Sequence, residues 1–498
     1  MSTVVSSAVV SDTDAIVGEV LTDPAAVVVD GHRRATSSRR PIVGPVDGLP
    51  WTEVSVGGRR DADDAAAAAA RALPAWSATP APDRAAVLRS VAAELEAAAA
   101  SDAWPALVTR ETGKRLAESR GELGLSAVYF RVMADLVEEG RERALDAVAG
   151  TTHHVEPQPL GVAAVLTPWN FPVSIPARKI APALAAGCTV LFKPSEVAPL
   201  SSMVLTAVLD RHLPAGTVNT VLGEPADVVD PWLAHPDVQA VSFTGSTRVG
   251  RLVAAAAAPR FLRTVLELGG CAPFVVLPDA DIEDAVRTLL VAKYRNNGQS
   301  CIAANQIFVA REVADAFVDA FVAATERLVV GDPLDDGTDV GPLAPAGDPA
   351  RLAALVDDAV TAGARVAGTR ASVPGQGHWF APAVLVDVPA SAAVFRDEVF
   401  GPVAAIRAYD DLGEAVAQHR ATGYGLAAYV CGTDVAAARE VAGRLRAGIV
   451  GINTGTPNYP GAPFGGLGRS GTGYEGGPHG LDAFRAWRTT AVAGGSTS

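Results

Sequence analysis

Lysine is nearly missing from this 498-residue chain. Only Lys114, Lys179, Lys193 and Lys293 occur, so 37 of the 41 basic residues (41 less 4) are Arg. Arg supplies the general surface charge, so each retained Lys draws attention, although coding bias with random survivors would give the same count. Cysteine is sparse as well: Cys188, Cys271, Cys301 and Cys431 stand tens of residues apart, without a CxxC. That excludes a zinc ribbon or a thioredoxin-like pair. HExxH is absent, and the adjacent His153 and His154 would point apart on a strand, so no metal site is written here. Acidic residues outnumber basic ones 55 to 41, a net charge of -14. The positive footprint for a phosphate backbone is missing, and nucleic acid is not expected as a partner. No apolar run reaches the roughly 18 residues of a membrane helix; Ala181 to Phe192 comes nearest and contains Gly, Cys and Thr. The first Arg is Arg33, and Asp12, Asp14, Glu19 and Asp23 precede it, unlike a signal or transit peptide. The expectation is a cytoplasmic protein with no membrane partner.

What is present describes a compact α/β protein. At 49% hydrophobic and 19% charged residues the chain is globular, and its length exceeds one ordinary core. Residues 1–40 mix Ser, Thr, Val and Asp without clear period and read as a peripheral arm. Asp61 to Leu73 reads as a helix, and Pro82 opens a second with Val87, Val91 and Leu95 on one face. From Gly161 to Pro278 short β-branched runs alternate with helix-length stretches. The expected strands are 162–166, 189–192, 218–222, 238–243 and 264–268. This alternation predicts βαβ crossovers and a parallel sheet. A second α/β stretch runs over about 270–450, followed by a Gly-rich segment from Gly461 to Gly480.

Polar clusters fall at the ends of these strands: Thr167-Pro168-Trp169-Asn170, Lys193-Pro194-Ser195-Glu196, Thr244-Gly245-Ser246-Thr247 and Gly269-Gly270. Ligands of open parallel sheets bind beyond the carboxyl ends of the strands, so four clusters at one edge predict one site. Two phosphate-loop patterns are weaker than they look. Gly466 to Gly471 matches GxGxxG but follows Pro463-Phe464 rather than a strand, and Gly245 to Gly250 lacks the Lys and hydroxyl of a P-loop. Gly245-Ser246 still opens a helix whose amides could hold a phosphate.

Cys301 ends Asn297-Gly298-Gln299-Ser300-Cys301, a turn of small neighbours that a substrate could approach. A cysteine nucleophile needs a proton acceptor and donors for the oxyanion it creates. Glu267, in Leu266-Glu267-Leu268, has the hydrophobic company that raises a carboxyl toward the range of a general base. Asn170 is a neutral donor suited to an oxyanion. Each also has a plainer reading: an inert buried thiol, a structural carboxylate, a turn-forming Asn.

Seven motifs then occur in order: TPWN at 167–170, KPSE at 193–196, FTGST at 243–247, LELGG at 266–270, NNGQSC at 296–301, EVFGP at 398–402 and PFGG at 463–466. On these the chain resembles the aldehyde dehydrogenase superfamily, in the non-phosphorylating group that includes succinate-semialdehyde dehydrogenases, from about residue 60 onward. The resemblance implies a Rossmann-type parallel-sheet cofactor domain over 41–139 and 159–267, and an α/β catalytic domain over 268–457. A small β oligomerisation extension from 140–158 and 480–498 would build a homodimer or homotetramer. It implies that Cys301 attacks a small-molecule aldehyde, with Asn170 and the Cys301 amide on the oxyanion. Hydride would pass to NAD, with NADP as the second choice, and Glu267 would activate water against the thioester. Lys193 and Glu196 would hold the adenosine ribose, Trp169 and Ser246 the pyrophosphate, and Glu398 with Phe400 the nicotinamide. Thr167, Ser195 and Gly245 complete the cofactor contacts, Lys193 also counts with the catalytic group, and Glu475 matches a glutamate of the proton path.

Departures from the family pattern bear on substrate. Cys271 follows LELGG, where the family often has Lys or Asn. Succinate-semialdehyde dehydrogenases hold the substrate carboxylate with two arginines and a serine. Arg178 and Arg295 match the arginines, or else pair with acidic neighbours. The serine's place falls on Asn458 or Tyr459, and Tyr459 would shrink the pocket or favour an aromatic aldehyde. The motifs also fit a CoA-acylating enzyme, which would pass the thioester to CoA rather than to water. A catalytically silent relative would be expected to lose Cys301 or Glu267, and both are present.

Overall fold

The computed structural model describes residues 3–140, 143–148 and 150–493. Residues 1–2 of the expected arm, and 141–142, 149 and 494–498 of the expected assembly segments, lie outside the described residues. Five parallel strands form the centre of the first sheet: Val162–Leu166, Thr189–Lys193, Val218–Val221, Val238–Thr244 and Arg263–Glu267. Numbered in chain order they lie 3-2-1-4-5 across the sheet. The first two are buried along their whole length, which is why their sequences run apolar without alternation. Order reverses between Val162–Leu166 and Val238–Thr244, so the crevice of this Rossmann-type sheet opens beyond Leu166 and Thr244.

A second sheet of seven strands is parallel except for its edge strand Arg365–Ala367. Its central strands are Ala272–Val276 and Ala304–Ala310, the latter beginning just after Cys301. Arg143–Val148, Thr151–Pro159 and Arg485–Ala493 form a separate antiparallel sheet.

One expectation changes. The first residues are not a peripheral arm: Val27–Val29 pair antiparallel with Val218–Val221 and are at most 2% exposed. Ile16, Val17 and Val20 of the helix Thr3–Thr22 enter the same core as Leu88, Val91 and Leu95. Their spacing suits one helix face, a signal diluted by the Ser, Thr and Asp around it. The GxGxxG-like segment proves structural, because Gly471 and Thr472 add an antiparallel edge to Arg263–Glu267. Gly471 has φ +115°, and a Cβ there would collide with Leu266 O.

Helix starts in the core depend on buried carboxylates. Glu111, 1% exposed, accepts hydrogen bonds from Leu200 N (2.7 Å) and Ser201 N (2.8 Å) at the first turn of Pro199–His212. Burial pushes its carboxyl up to about 7, against the hydrogen bonds from Ser201 and Leu200. Glu111→Leu would strand amides that have no intrahelical partner. We expect a stability loss of about 2–4 kcal/mol, at roughly 1–3 kcal/mol per unsatisfied group, read as a lower midpoint of denaturant unfolding. An unchanged midpoint would show that the helix start does not need the carboxylate.

Candidate active site

The first sheet delivers its polar clusters to one edge. Thr167 to Asn170 follow Leu166, Gly245 and Ser246 follow Thr244, and Glu267 ends its own strand. The second sheet brings two segments against this edge: the turn that ends in Cys301, and Glu398–Phe400. Side-chain amides shape the turn. Asn296 and Asn297 have φ of 54° and 57°, a left-handed region that Asn tolerates better than most residues. Asn297 donates to Gly113 O and Pro342 O and accepts from Gly341 N, each at 2.9 Å. Gln299 accepts from Ala344 N at 2.9 Å, and Asn170 Nδ2 donates to Gln299 O at 3.0 Å.

Cys301 is thereby placed between two cavities and lines both. One, of about 390 Å³, is walled by Trp169, Asn170, Thr244, Ser246, Glu398 and Phe400. The other, of about 340 Å³, is walled by Phe171, Arg178, Arg295, Asn458 and Phe464 among others. Burial pushes the Cys301 thiol up to about 12, with Arg178 pulling the other way. The resting sulfur is a thiol, so its attack requires proton removal.

A buried charge cluster lies behind Cys301. Glu267 is 1% exposed, and neither carboxylate oxygen has a hydrogen-bond partner. Burial first, then the charge of Glu475, holds its carboxyl well above the usual range, against Arg178 and Lys179. Glu475 is the opposite case. Burial pushes it up, but Lys179 and Arg178 together bring it below the usual carboxylate range. Lys179 Nζ contacts Glu475 Oε1 and donates to Ser242 Oγ at 3.0 Å, and Arg178 Nε lies 2.5 Å from Glu475 Oε2. Two carboxylates side by side are thus driven apart, one poised as a base and one fixed as an anion.

The cavity beside Trp169 fits a dinucleotide. Thr244 Oγ1 is buried in its wall without a partner, so a donor and acceptor remains for a ligand, and the equally unpartnered Thr167 Oγ1 stands one residue before the wall at Pro168. Ser246 caps the helix Thr247–Ala257 by accepting from Val249 N at 3.3 Å. Phe400, at φ 50°, meets Trp169 edge-on at 5.5 Å between ring centres. Glu398 accepts from Gly270 N at 3.1 Å, and burial pushes its carboxyl up to about 7. Lys193 and Glu196 pair with each other, and Ser195 accepts from Val197 N at 3.3 Å. These three stand one strand further along the edge, outside that cavity's wall.

On the substrate side Tyr459 is a correction. It is 63% exposed and absent from the cavity wall, whereas Thr456 and Asn458 line it. Thr456 and Asn458 face the cavity and Tyr459 turns outward, so of the two candidates for the serine's place only Asn458 reaches the wall. Arg178 pairs with Glu475, the plainer of its two readings, and also walls the cavity, its guanidinium 3.9 Å from the Phe464 ring centre. Arg295 makes no ion pair among the described residues; its guanidinium sits 5.8 Å from the Phe171 ring centre. Sequence reasoning gave Lys179 no role beyond the scarcity of lysine, and it missed Asn296, Tyr129 and Phe464. Scarcity was the usable signal, because all four lysines are buried, at 0–8% exposure.

Glu267 acts as a base only when ionised, so the step it serves is lost as pH falls through its raised pKa. With Glu267→Gln we expect a pre-steady-state burst of reduced cofactor followed by turnover slowed on the order of 100-fold or more, the scale of general-base catalysis. The acid limb of kcat expected of the unaltered enzyme should disappear. A limb that persists would show that another group, such as the raised Glu398 carboxyl, governs it. Absence of the burst would mean that Glu267 also deprotonates Cys301.

The model of the aldehyde dehydrogenase family matches residues 32–490, so the likeness begins earlier than the expected residue 60. The chain is 39% identical over 454 residues to an NADP-dependent succinate-semialdehyde dehydrogenase of Escherichia coli, covering 89% of this chain and 92% of that one. It is equally 39% identical, over 451 residues and with the same two coverages, to a glutarate-semialdehyde dehydrogenase of Pseudomonas putida. The crystal structure of a succinate-semialdehyde dehydrogenase from Burkholderia pseudomallei superposes with a TM-score of 0.91 at 36% identity, over 94% of this chain and 98% of that one. With its thiol, paired carboxylates and cofactor-side cavity around one sheet edge, the chain belongs to the aldehyde dehydrogenase family.

Proposed function

We propose that this aldehyde dehydrogenase oxidises a small aldehyde bearing a distal carboxylate, succinate semialdehyde first, and passes the hydride to NAD. One observation carries the reading. Cys301 faces both cavities, and the one away from Trp169 offers Arg295 without an anionic partner among the described residues. The Escherichia coli and Pseudomonas putida relatives are both named for semialdehydes of dicarboxylic acids. Tyr459, which favoured an aromatic substrate, lies outside the cavity.

Cys301 would give up its thiol proton to solvent and attack the aldehyde carbon as the thiolate, while Asn170 Nδ2 and the Cys301 amide hold the developing oxyanion. Bound nicotinamide supplies a hydride acceptor. Collapse of the oxyanion expels the hydride and leaves a thioester on Cys301. Glu267 then takes a proton from water, whose oxygen attacks the acyl carbon, and the acid leaves as the thiolate returns. Glu475, hydrogen-bonded to Lys179 and Ser242, would be the next group to receive the proton taken by Glu267. The sheet of 143–148, 151–159 and 485–493 is the proposed assembly surface, since Arg485–Ala493 is an exposed edge strand; sedimentation of the purified chain reads this directly.

Arg295→Ala should raise KM for succinate semialdehyde on the order of ten- to a hundredfold, the value of a charge-assisted hydrogen bond of about 1.5–3 kcal/mol. Benzaldehyde and hexanal should change far less. Equal effects on charged and neutral aldehydes would sink the carboxylate reading and leave only aldehyde oxidation. Glu196 favours NAD, because a carboxylate accepts from ribose hydroxyls and repels a 2′-phosphate. We expect kcat/KM for NAD to exceed that for NADP, and Glu196→Ser to narrow the gap. The Escherichia coli relative carries NADP in its name, so equal use of both cofactors is the outcome that refutes a policing role for Glu196.

A further inference from the structure

Lys114 lies between the helices Ala103–Thr112 and Leu116–Glu138 and is fully buried. A buried ammonium persists only where charge and N–H groups are matched, and the partners here are specific. It donates to Asn170 O at 2.8 Å, contacts Glu122 Oε2 and sits 4.1 Å from the Phe171 ring centre. The other oxygen of Glu122 accepts from Val173 N (2.9 Å) and Ser174 N (3.1 Å), where the helix Ser174–Ala186 begins. That helix carries Arg178 and Lys179.

The same few atoms close a ring around the proposed oxyanion donor. Asn296 Nδ2 donates to Asn170 O at 2.9 Å and to Gln299 O at 3.0 Å. Gln299 O also accepts from Asn170 Nδ2. Gly113, next to Lys114, has φ +74°, and its carbonyl accepts from Asn297 of the Cys301 turn at 2.9 Å. The 112–114 turn thus holds both catalytic loops, one through Asn297 and one through the Lys114 ammonium.

We propose that Lys114 is a positioning residue. By gripping the Asn170 carbonyl and, through Glu122, the start of the following helix, it fixes the direction in which the Asn170 side-chain amide faces Cys301. This rests on Asn170 being the oxyanion donor. The cation over Phe171 gives the grip rigidity, because the ring and both oxygens leave the ammonium one place to sit.

The test is a double-mutant cycle in the full-length chain, read as the burst rate of hydride transfer from succinate semialdehyde to NAD. Asn170→Ala should slow the burst on the order of 100- to 1000-fold, the effect of removing one oxyanion donor. Lys114→Met should slow it about tenfold or more, yet in the Asn170→Ala background add no more than about threefold. NAD affinity should stay within about twofold, and Lys114→Arg should recover most of the rate, since other strands hold the cofactor. Equal slowing in both backgrounds overturns the inference, because general damage to the fold is additive. An Asn170→Ala enzyme with an undiminished burst instead overturns the oxyanion assignment itself. Should Lys114→Met fail to fold, Glu122→Gln runs through the same cycle. Its slowing must vanish in the Asn170→Ala background, and either persistence there or no slowing at all refutes the grip.

Discussion

Two cations and two carboxylates share one buried volume behind Cys301, and the rest of the site is arranged around their balance. Arg178 and Lys179 are neighbours on one helix, yet both reach Glu475. Glu267 receives only their distant field and the repulsion of Glu475. If Glu267 ionises the cluster is neutral; if it takes a proton the cluster gains one positive charge. Burial and Glu475 disfavour the ionised form while the two cations offset only part of that cost, so the carboxyl takes up a proton far more readily than a free one.

That balance constrains the chain widely. Glu267 comes from a strand of the first sheet, Arg178 and Lys179 from the helix after the Thr167–Asn170 turn, and Glu475 from beyond the second sheet. The four meet only when the C-terminal segment returns to the first sheet, where Gly471 and Thr472 pair with Arg263–Glu267. Ser470 reinforces the return, donating to Gly269 O at 2.8 Å and accepting from Gly425 N at 3.0 Å. Completing the charge cluster and closing this edge of the first sheet therefore use the same C-terminal segment.

Much of this was legible from sequence where local chemistry decides the outcome. The five strands of the first sheet could be read because buried parallel strands are continuous apolar runs, and their polar ends marked the edge. Cys301, Glu267 and Asn170 stood out as reactive types in unusual company. Other features depended on distant partners. The role of Lys114 is set by Asn170 O and Glu122, 56 and eight residues away, and no local pattern encodes that meeting. Tyr459 and Asn458 are adjacent, so only the direction of an extended segment tells which one the substrate meets. The strand Val27–Val29 was hidden because three residues carry too little periodicity to separate from the surrounding mixture.

The interior location of every lysine has a consequence for how the molecule meets other reagents. Its outer positive charge is guanidinium, which stays protonated at pH values where amines have lost their protons. Electrophoretic mobility should therefore hold nearly constant through the alkaline range in which lysine-rich proteins drift. Electrophiles that seek side-chain amines find no open target on the folded chain; the least covered, Lys193 at 8% exposure, is joined to Glu196 at the cofactor edge. Amine labelling thus becomes a gauge of global opening rather than a map of the surface.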